Sequence, residues 1–392
     1  MILNYCRNLS VPFFVFVFVS LLIGGFMSSV SFAANSTVRV GYPQPSGAML
    51  PLWLVSEAKL DLKYGVAVQN IFISGAARMN QSMVAGDIDL ASIGGAVVNT
   101  VLAGGDLVAI AVGVPTYGFS LYAKPDVKDI ASLHGKVVGI MSKGASSEHA
   151  VIALLQRNKM QPGKDVKFIY LGGVREVLAA IDRGIVSAGV LSSPTTLAAR
   201  RLGQKELINI ASLNLPYIHS GVATRRVFTR QQPEAVKAYL RAYIAAIKIA
   251  NEDAETSKRA LSRYLVTGDS AILEEAYQTF RGIFPRVPYV TEDYIKSVIA
   301  VSDNPKAAGA NPKDFFDNRF LKEIEDSGFV QELYGRRYSI SPTGEIGVVF
   351  VCSRWVDHCG VVAAKNSRGS CTSYDPHRLS AVERRYVAAV GD

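Results

Sequence analysis

The turn Gly144-Ala-Ser-Ser147 combines backbone freedom with hydroxyl groups, which suits it to hold a polar or anionic ligand. It follows a predicted strand over 136–140 and leads into a predicted helix from about 148 to 157. The first N–H groups of a helix have no acceptor inside it, so they can converge with serine hydroxyls on one anion. Ser146 or Ser147 can instead cap the helix, and a cap and a ligand site can coincide.

Small polar residues follow other predicted strands as well. Such turns contain Ser46-Gly47, Ser92 to Gly95, Thr116-Tyr117 and Ser192-Ser193. Open α/β sheets bind ligands at the carboxyl ends of their strands, so we expect some of these residues to line one cleft. Each of these residues can instead have only a structural role in its turn, and Tyr117 can be a buried core residue. The candidate ligand-binding residues are Ser46, Gly47, Ser92, Gly94, Thr116, Tyr117, Ser146, Ser147 and Ser193.

Patterns typical of catalysis or metal binding are incomplete in this sequence. It contains no dinucleotide-binding or phosphate-loop glycine motif and no zinc-protease motif. Ser56-Glu-Ala-Lys59 and Ser302-Asp-Asn304 match two motifs of penicillin-binding enzymes, but the third, Lys-Thr-Gly, is missing. His358 beside Cys359 resembles a metal-ligand pair without a second pair. The sequence therefore predicts a binding protein rather than an enzyme, with no catalytic residue, no metal and no cofactor.

The elements that must position these residues follow from composition and apolar patterns. The 392 residues are 49% hydrophobic and 19% charged with a net charge of +9, which excludes a disordered or fibrous chain and identifies no partner by itself. Strands are predicted near 37–43, 66–73, 88–94, 108–114, 136–140, 166–171 and 185–191. Helices are predicted near 52–62, 79–85, 97–103, 148–157, 175–183, 257–266, 270–282 and 314–331, and also from Pro233 and after Thr291. Strands that alternate with helices across short turns indicate an α/β fold with mostly parallel sheets.

Two parts of the chain repeat one order of elements. The patterns of residues 79–94 and 177–192 each predict a helix that ends at a glycine, followed by a strand and small residues. This repeat indicates two similar lobes. From Pro233 the chain is helical, and one apolar stripe is expected in the core. The stripe contains Val236, Tyr239, Leu240, Tyr243, Ile244 and Ile247.

The first residues have the three parts of a secretory signal. Arg7 precedes an apolar run over 11–27, and the small residues of 28–34 follow it. We expect cleavage after Ala33 or Ala34, with a retained membrane anchor as the alternative. The sequence thus predicts an exported chain.

Six segments in a specific order resemble the periplasmic substrate-binding proteins of ABC importers, over residues 37 to about 335. The segments are Val38–Tyr42, Tyr64–Val68, Ala85–Ala91, Ile130–Ile140, Gly144–Ser147 and Ser220–Arg226. Within that family the chain resembles the branch that binds sulfonates, nitrate, taurine and thiamine-pyrimidine precursors.

The resemblance implies a two-lobed α/β fold of the type 2 periplasmic-binding-protein class, with mostly parallel sheets, flanking helices and a two-crossover hinge. The crossovers are expected near 119–124 and 217–224. Lobe one would be residues 35–118 plus 221–335 and lobe two residues 119–220, after a signal peptide over 1–34. Ligand binding would close the lobes, and the closed form would dock on a membrane permease.

The resemblance also implies a periplasmic receptor for a small ligand, monomeric and without a nucleic-acid partner. No acidic cleft residue that would select a cation is evident, so an organic anion such as a sulfonate or carboxylate is the first expectation. A neutral pyrimidine ligand, a sensory binding protein and an enzyme of the pyrimidine-synthase type are the alternatives. The export signal and the absence of cysteine from 35–351 argue against that enzyme.

The last residues, 336–392, change in composition and contain Cys352, Cys359 and Cys371. A disordered extension and an out-of-frame extension of the gene both fit this change.

Overall fold

Two five-stranded sheets organise the chain in the computed structural model, which describes residues 37–335. The first sheet has the order β2-β1-β3-β10-β4 and contains β1 (Thr37–Tyr42), β2 (Ala67–Phe72), β3 (Leu90–Ala91), β4 (Leu107–Thr116) and β10 (Pro216–Arg225). The second has the order β7-β6-β8-β5-β9 and contains β5 (Ser120–Ala123), β6 (Val137–Ile140), β7 (Lys167–Tyr170), β8 (Ala188–Leu191) and β9 (Lys205–Asn209). The predicted signal peptide and the 336–392 tail lie outside the described residues.

Each sheet contains one strand that runs against the others. In the first sheet β10 is antiparallel to β3 and β4, while β1 is parallel to β2 and β3. In the second sheet β5 is antiparallel to β8 and β9, while β6 is parallel to β7 and β8. The predicted α/β class with mostly parallel strands is therefore confirmed.

The chain passes between the sheets twice, over 117–119 and over 210–215. Both passages lie before the predicted ones, because most of 119–124 is β5 and 217–224 is part of β10. The apolar residues of β5 and β10 are buried, and these two strands pair with their neighbours in the sheets. The two passages agree with a two-lobed fold, and the exact lobe limits stay a prediction.

Fourteen α-helices flank the sheets within residues 37–335. They are α1 (Leu50–Glu57), α2 (Leu60–Tyr64), α3 (Ala76–Ala85), α4 (Ala96–Leu102), α5 (Ser146–Arg157), α6 (Val174–Asp182), α7 (Thr195–Arg201), α8 (Arg226–Gln231), α9 (Pro233–Glu252), α10 (Ala254–Leu265), α11 (Ser270–Phe280), α12 (Glu292–Ile299), α13 (Arg319–Asp326) and α14 (Phe329–Tyr334). None of the described helices is long and apolar enough to span a membrane.

Three predicted elements are shorter in the structure. The predicted helix 52–62 is divided into α1 and α2 because Lys59 adopts a left-handed φ of 53° between them. The predicted strand 88–94 pairs only at Leu90 and Ala91, because the chain then turns into α4 with Gly94 at φ 51°. The predicted helix 314–331 is interrupted near Gly328, whose φ is 81°.

The long helix α9 supplies much of the core beneath the first sheet. All six residues of its predicted apolar stripe are buried, and they pack with residues of α1 and β4. Burying one such large apolar side chain stabilises the fold by about 1.5–3 kcal/mol. The stripe is therefore structural, as its spacing predicts.

Candidate functional site

A cavity of about 40 Å³ lies between the two sheets, where loops from both of them meet. The loops after β1, β2 and β3 supply Pro43, Gln44, Met49, Gly75, Ala76, Ser92 and Ile93. The loops after β6 and β7 supply Met141, Ser142, Ala145, Ser146, Ser147 and Gly172, and Phe119 and His219 complete the lining. The carboxyl ends of five strands thus converge on one cavity, which is where ligands of α/β sheets bind. Three of the nine candidate residues, Ser92, Ser146 and Ser147, line it.

The amino end of α5 forms one wall of this cavity. Ala145 is the N-cap residue and provides no side-chain cap, so Ser146 and Ser147 are the first two helical residues and neither caps the helix. The Ser147 hydroxyl accepts a hydrogen bond from the Met141 N–H at 3.3 Å. Among the described residues, the N–H groups of Ser146 and Ser147 have no acceptor. This helix end is therefore free to donate to a ligand.

Glu148 follows these serines and is already engaged. Its carboxylate accepts hydrogen bonds from the Gly144 N–H, at 2.5 Å, and from the Tyr170 hydroxyl. Burial, and to a lesser extent the hydrogen bond that Tyr170 donates to Glu148, raise the pKa of Tyr170. Glu148 is not a lining residue, so its charge is used to hold the turn in place.

Three other candidates form a direct contact between the lobes. The Ser46 hydroxyl and the Gly47 N–H both donate to the carbonyl oxygen of Ser193, at 3.1 and 3.3 Å. The Ser193 hydroxyl donates in turn to the carbonyl oxygen of Glu275, at 3.2 Å. Since none of the three lines the cavity, their role as ligand contacts stays a prediction.

The remaining candidates lie behind the cavity. Thr116, at the end of β4, has a buried hydroxyl without a partner. Tyr117 is buried and stacks on Tyr217 with ring centroids 4.0 Å apart, and burial raises its pKa. Gly94 has its backbone against the carbonyl oxygen of His219. These residues support the site without lining it.

The lobes also touch at a second place, near Gly144. The Asn99 amide, on α4, donates to the Gly144 carbonyl oxygen at 3.0 Å and lies 3.2 Å from His149 Nε2. His149 Nδ1 lies 2.7 Å from the Tyr217 hydroxyl, and burial lowers the pKa of His149 to about 4. His149 is therefore neutral at pH 7, and an ion pair between Lys143 and Asp303, at 3.0 Å, adds to this contact.

Three polar lining residues were missed by the sequence analysis, Gln44, Ser142 and His219. Gln44 follows β1 directly, and its position at a strand end could have indicated it. His219 lies inside β10, where nothing local distinguishes it from a core residue. It is the one titratable side chain among the described lining residues.

Neither incomplete enzyme motif lies at this cavity. The Ser56 hydroxyl donates to the Trp53 carbonyl oxygen and accepts from Asn70, and the Ser302 hydroxyl donates to Asn99. Within residues 37–335, no three His, Cys, Asp or Glu side chains are grouped to hold a metal ion.

Comparisons with known proteins agree with the fold. The family described as "ABC transporter, phosphonate, periplasmic substrate-binding protein" matches residues 44–277, more than half of the chain. A relative from Brachyspira hyodysenteriae, named as an ABC transporter periplasmic binding protein, is 22% identical over 266 residues, which cover 64% of this chain and 75% of the relative.

Two solved structures show the same fold at low identity. The alkanesulfonate-binding protein of Xanthomonas axonopodis pv. citri, solved with bound MOPS, has a TM-score of 0.60 at 20% identity and covers 69% of this chain and 93% of its own. The periplasmic nitrate-binding protein of Synechocystis PCC 6803 has a TM-score of 0.62 at 15% identity and covers 75% of this chain and 89% of its own. Because the family match covers more than half of its residues, and the fold agrees, the chain belongs to the periplasmic substrate-binding proteins of ABC transporters.

Proposed function

We propose that this protein captures a small organic anion, such as a sulfonate, phosphonate or carboxylate, in the interlobe cavity and delivers it to a membrane permease. The observation that carries the proposal is the amino end of α5, where the N–H groups of Ser146 and Ser147 have no acceptor. The positive end of a helix dipole favours an anion at this position. We also propose that the predicted signal peptide exports the chain, which then acts as a monomer.

The chemistry of the lining supports an anion over a cation. No carboxylate lines the cavity among the described residues, whereas hydroxyl and amide donors do. These donors are the side chains of Gln44, Ser92, Ser142, Ser146 and Ser147. Donors of this kind can hydrogen-bond the oxygen atoms of an anion.

The size of the cavity indicates that the lobes separate to admit a ligand. Its volume of about 40 Å³ is well below the ~300–1,000 Å³ of typical small-ligand pockets. The contacts at Ser193 and at Asn99 must therefore rearrange when ligand enters. Hinge closure around a ligand is the motion that a two-lobed binding protein provides.

Isothermal calorimetry with a panel of probes tests the proposal. The panel contains ethanesulfonate, methylphosphonate, acetate and the neutral aminopyrimidine alcohol that forms half of thiamine. We expect at least one anion to bind with 1:1 stoichiometry and to raise the melting temperature, since a ligand at 100 times its Kd stabilises by about 2.7 kcal/mol. Binding of the pyrimidine alone would contradict the anion proposal and favour the neutral ligand.

Two variants of one residue then test the helix end. Ser146→Pro removes the first N–H, and it is compatible with the fold because proline suits the first helical position and Ala145 is already extended, at φ −96° and ψ 167°. Ser146→Ala removes the hydroxyl and keeps the N–H. A hydrogen bond to a charged group contributes about 1.5–3 kcal/mol, so we expect Ser146→Pro to weaken anion binding roughly tenfold to hundredfold more than Ser146→Ala does. Equal affinities of the two variants would argue against a role for the N–H.

A further inference from the structure

A β-bulge determines where His219 lies. The β4–β10 pairing joins Pro216 to Thr116 and Ser220 to Val114, so that residues 217–219 lie opposite Pro115 alone. Proline has no N–H to donate, and the regular ladder cannot continue through it. Bulges of this kind redirect side chains and occur beside functional sites. This one places His219 in the lining of the interlobe cavity.

The His219 ring is enclosed but forms no hydrogen bond. The residue is 5% exposed, and both ring nitrogens are buried without a partner. Phe119, another lining residue, packs edge-to-face on the ring with centroids 4.6 Å apart. A Cβ on Gly118 would lie 2.9 Å from His219 Nε2, so the glycine makes room for the ring. A buried polar group without a partner costs about 1–3 kcal/mol, which a ligand in the cavity can recover.

The titratable and charged groups near the ring each interact with a partner other than His219. On β10, Tyr217 stacks on Tyr117 and contacts His149, and on α5 Glu148 holds the Gly144 turn. The helix α11, whose Phe280 lies beside Gly118, carries Glu275, and that carboxylate pairs with Arg200 at 2.8 Å. None of these groups shifts the pKa of His219, which burial alone lowers to about 3. His219 is neutral in this environment and faces no fixed counter-charge.

We propose that His219 contacts the bound anion and takes up one proton from solvent when the anion binds. This inference rests on the proposed function. An anion enclosed among neutral groups lacks a counter-charge, and enclosing an unpaired charge is costly. Protonation of the free ring nitrogen forms an N–H bond and an imidazolium, which donates a charge-assisted hydrogen bond to the anion. The ligand class is an oxyanion that is itself fully ionised, such as a sulfonate.

Proton linkage fixes the direction of the pH dependence. The pKa of His219 is low in the free protein, and an adjacent anion raises it in the complex. Affinity for the anion is therefore lowest above the pKa of the complex. It increases by up to tenfold for each pH unit below that value, until the free protein is protonated too.

Calorimetry with methanesulfonate tests this inference, because the charge of that anion is constant between pH 5 and 8. Titrations at pH 5.5 and 7.5, each in two buffers of different ionisation enthalpy, give the number of protons taken up. We expect tighter binding at pH 5.5, with uptake approaching one proton per anion. Binding with no proton uptake at either pH would overturn the inference and leave the proposed function standing. A failure of methanesulfonate and of every anion in the panel to bind would overturn both.

Substitutions of His219 test whether this residue takes up the proton. His219→Asn and His219→Gln keep a hydrogen-bond donor that cannot titrate, so we expect proton uptake to disappear and affinity to become independent of pH. His134→Asn is the matched control, because His134 is exposed at 74% of its side chain and should leave the uptake unchanged. Uptake that persists in both His219 variants would assign the proton to another group and contradict the proposal. The wild-type titrations decide the first question even if a variant fails to fold.

Discussion

Gly94 lies where the turn into α4 meets the backbone of β10. Its φ is 51°, and a Cβ at this position would approach the carbonyl oxygens of His219 and Ile218 to 2.3 and 2.8 Å. Both oxygens belong to the bulge, so a side chain here would displace the bulge together with the His219 ring. Gly94 therefore affects the cavity through the position of β10, although it does not line it.

Gly94→Ala should lower stability and weaken anion binding together. The left-handed φ costs an alanine about 1–2 kcal/mol, and the overlap adds about 1–3 kcal/mol. Gly104→Ala is the control, because Gly104 stands just after the same helix with φ 100° and has no atom within 4 Å of its Cβ position. We expect thermal unfolding to show a loss in both variants and calorimetry to show weaker binding in Gly94→Ala alone. Equal affinity losses in the two variants would mean that the overlap has no effect on the site.

Sequence reasoning found three of the four serines that line the site but not its histidine, for a physical reason. Ser92 directly follows β3, and Ser146 and Ser147 begin the helix after β6. Strand ends meet at one edge of a sheet whatever the details of packing. The direction of His219 depends on how β10 pairs with β4, and Pro115 is the only local sign of the bulge. Register is a tertiary property, so a side chain that a bulge redirects is not visible in the alternation of its own strand.

At the scale of the elements, the alternation of strands and helices predicted most of the chain order. It overextended the strand at 88–94, because Ser92 and Ile93 are apolar or small enough to continue a strand pattern but in fact turn toward the cavity. It missed three strands: β5 and β10, which are buried and occupy most of the predicted crossovers, and β9, which pairs only with β5 and has mostly exposed residues, so that its sequence lacks a continuous apolar run. Elements whose burial is partial leave a weak pattern.

The helices α4 and α5 belong to different lobes and meet through one side chain, Asn99. Its amide nitrogen donates to Gly144, in the turn that precedes α5, and its amide oxygen accepts from Ser302 at 2.9 Å. The Gly144 turn is also the one that presents the free N–H groups of α5. Asn99 therefore connects the position of lobe one to the helix end that we propose as the ligand site.

Asn99→Ala should loosen this side of the interlobe contact. We expect the radius of gyration from small-angle scattering to increase and the melting temperature to fall by a few degrees, because about two hydrogen bonds of roughly 1 kcal/mol each are lost. Asn80→Ala is the matched control, since the Asn80 amide bonds only within lobe one, to the Ala96 carbonyl oxygen and the Thr100 hydroxyl. The control should lose a similar amount of stability without expanding. If both variants expand alike, Asn99 has no special part in the interlobe contact.

At the scale of the whole molecule, two contact regions between the lobes combine hydrogen bonds with exposed ion pairs. The Asn99 region includes the pair between Lys143 and Asp303 at 3.0 Å, whose side chains are 66% and 78% exposed. The other region adds two ion pairs from α7, Arg200 to Glu275 and Arg201 to Asp269, both at 2.8 Å. These arginine side chains are 43% and 50% exposed, so solvent screens the pairs and each contributes only about 0–1 kcal/mol. Modest contacts in both regions suit lobes that must separate and close as ligand passes.

The buried neutral histidines make the stability of the whole molecule depend on pH. Burial lowers the pKa of His149 to about 4 and of His219 to about 3, both below the value of about 6.5 expected in the unfolded chain. A group whose pKa is lowered by folding contributes stability that is present above the unfolded value and lost as pH falls toward the folded one. We expect the free energy of unfolding in urea to decrease by about 2 kcal/mol for each of these histidines between pH 7 and pH 5.

The double variant His149→Asn, His219→Asn should flatten this pH dependence, whereas His134→Asn should leave it intact, because His134 is exposed. The range from pH 7 to 5 isolates the histidines, since the ordinary pKa values of aspartate and glutamate lie below it.

Saturating methanesulfonate should change the pH dependence of stability at His219 and leave that at His149 unchanged. The anion raises the pKa of His219, so its stabilising effect should grow as pH falls, while the loss at His149 remains. A stabilising effect of the anion that is equal at pH 7 and pH 5 would show that ligand and proton bind independently, and the charge of the enclosed anion would then have to be balanced by the neutral donors of α5 alone.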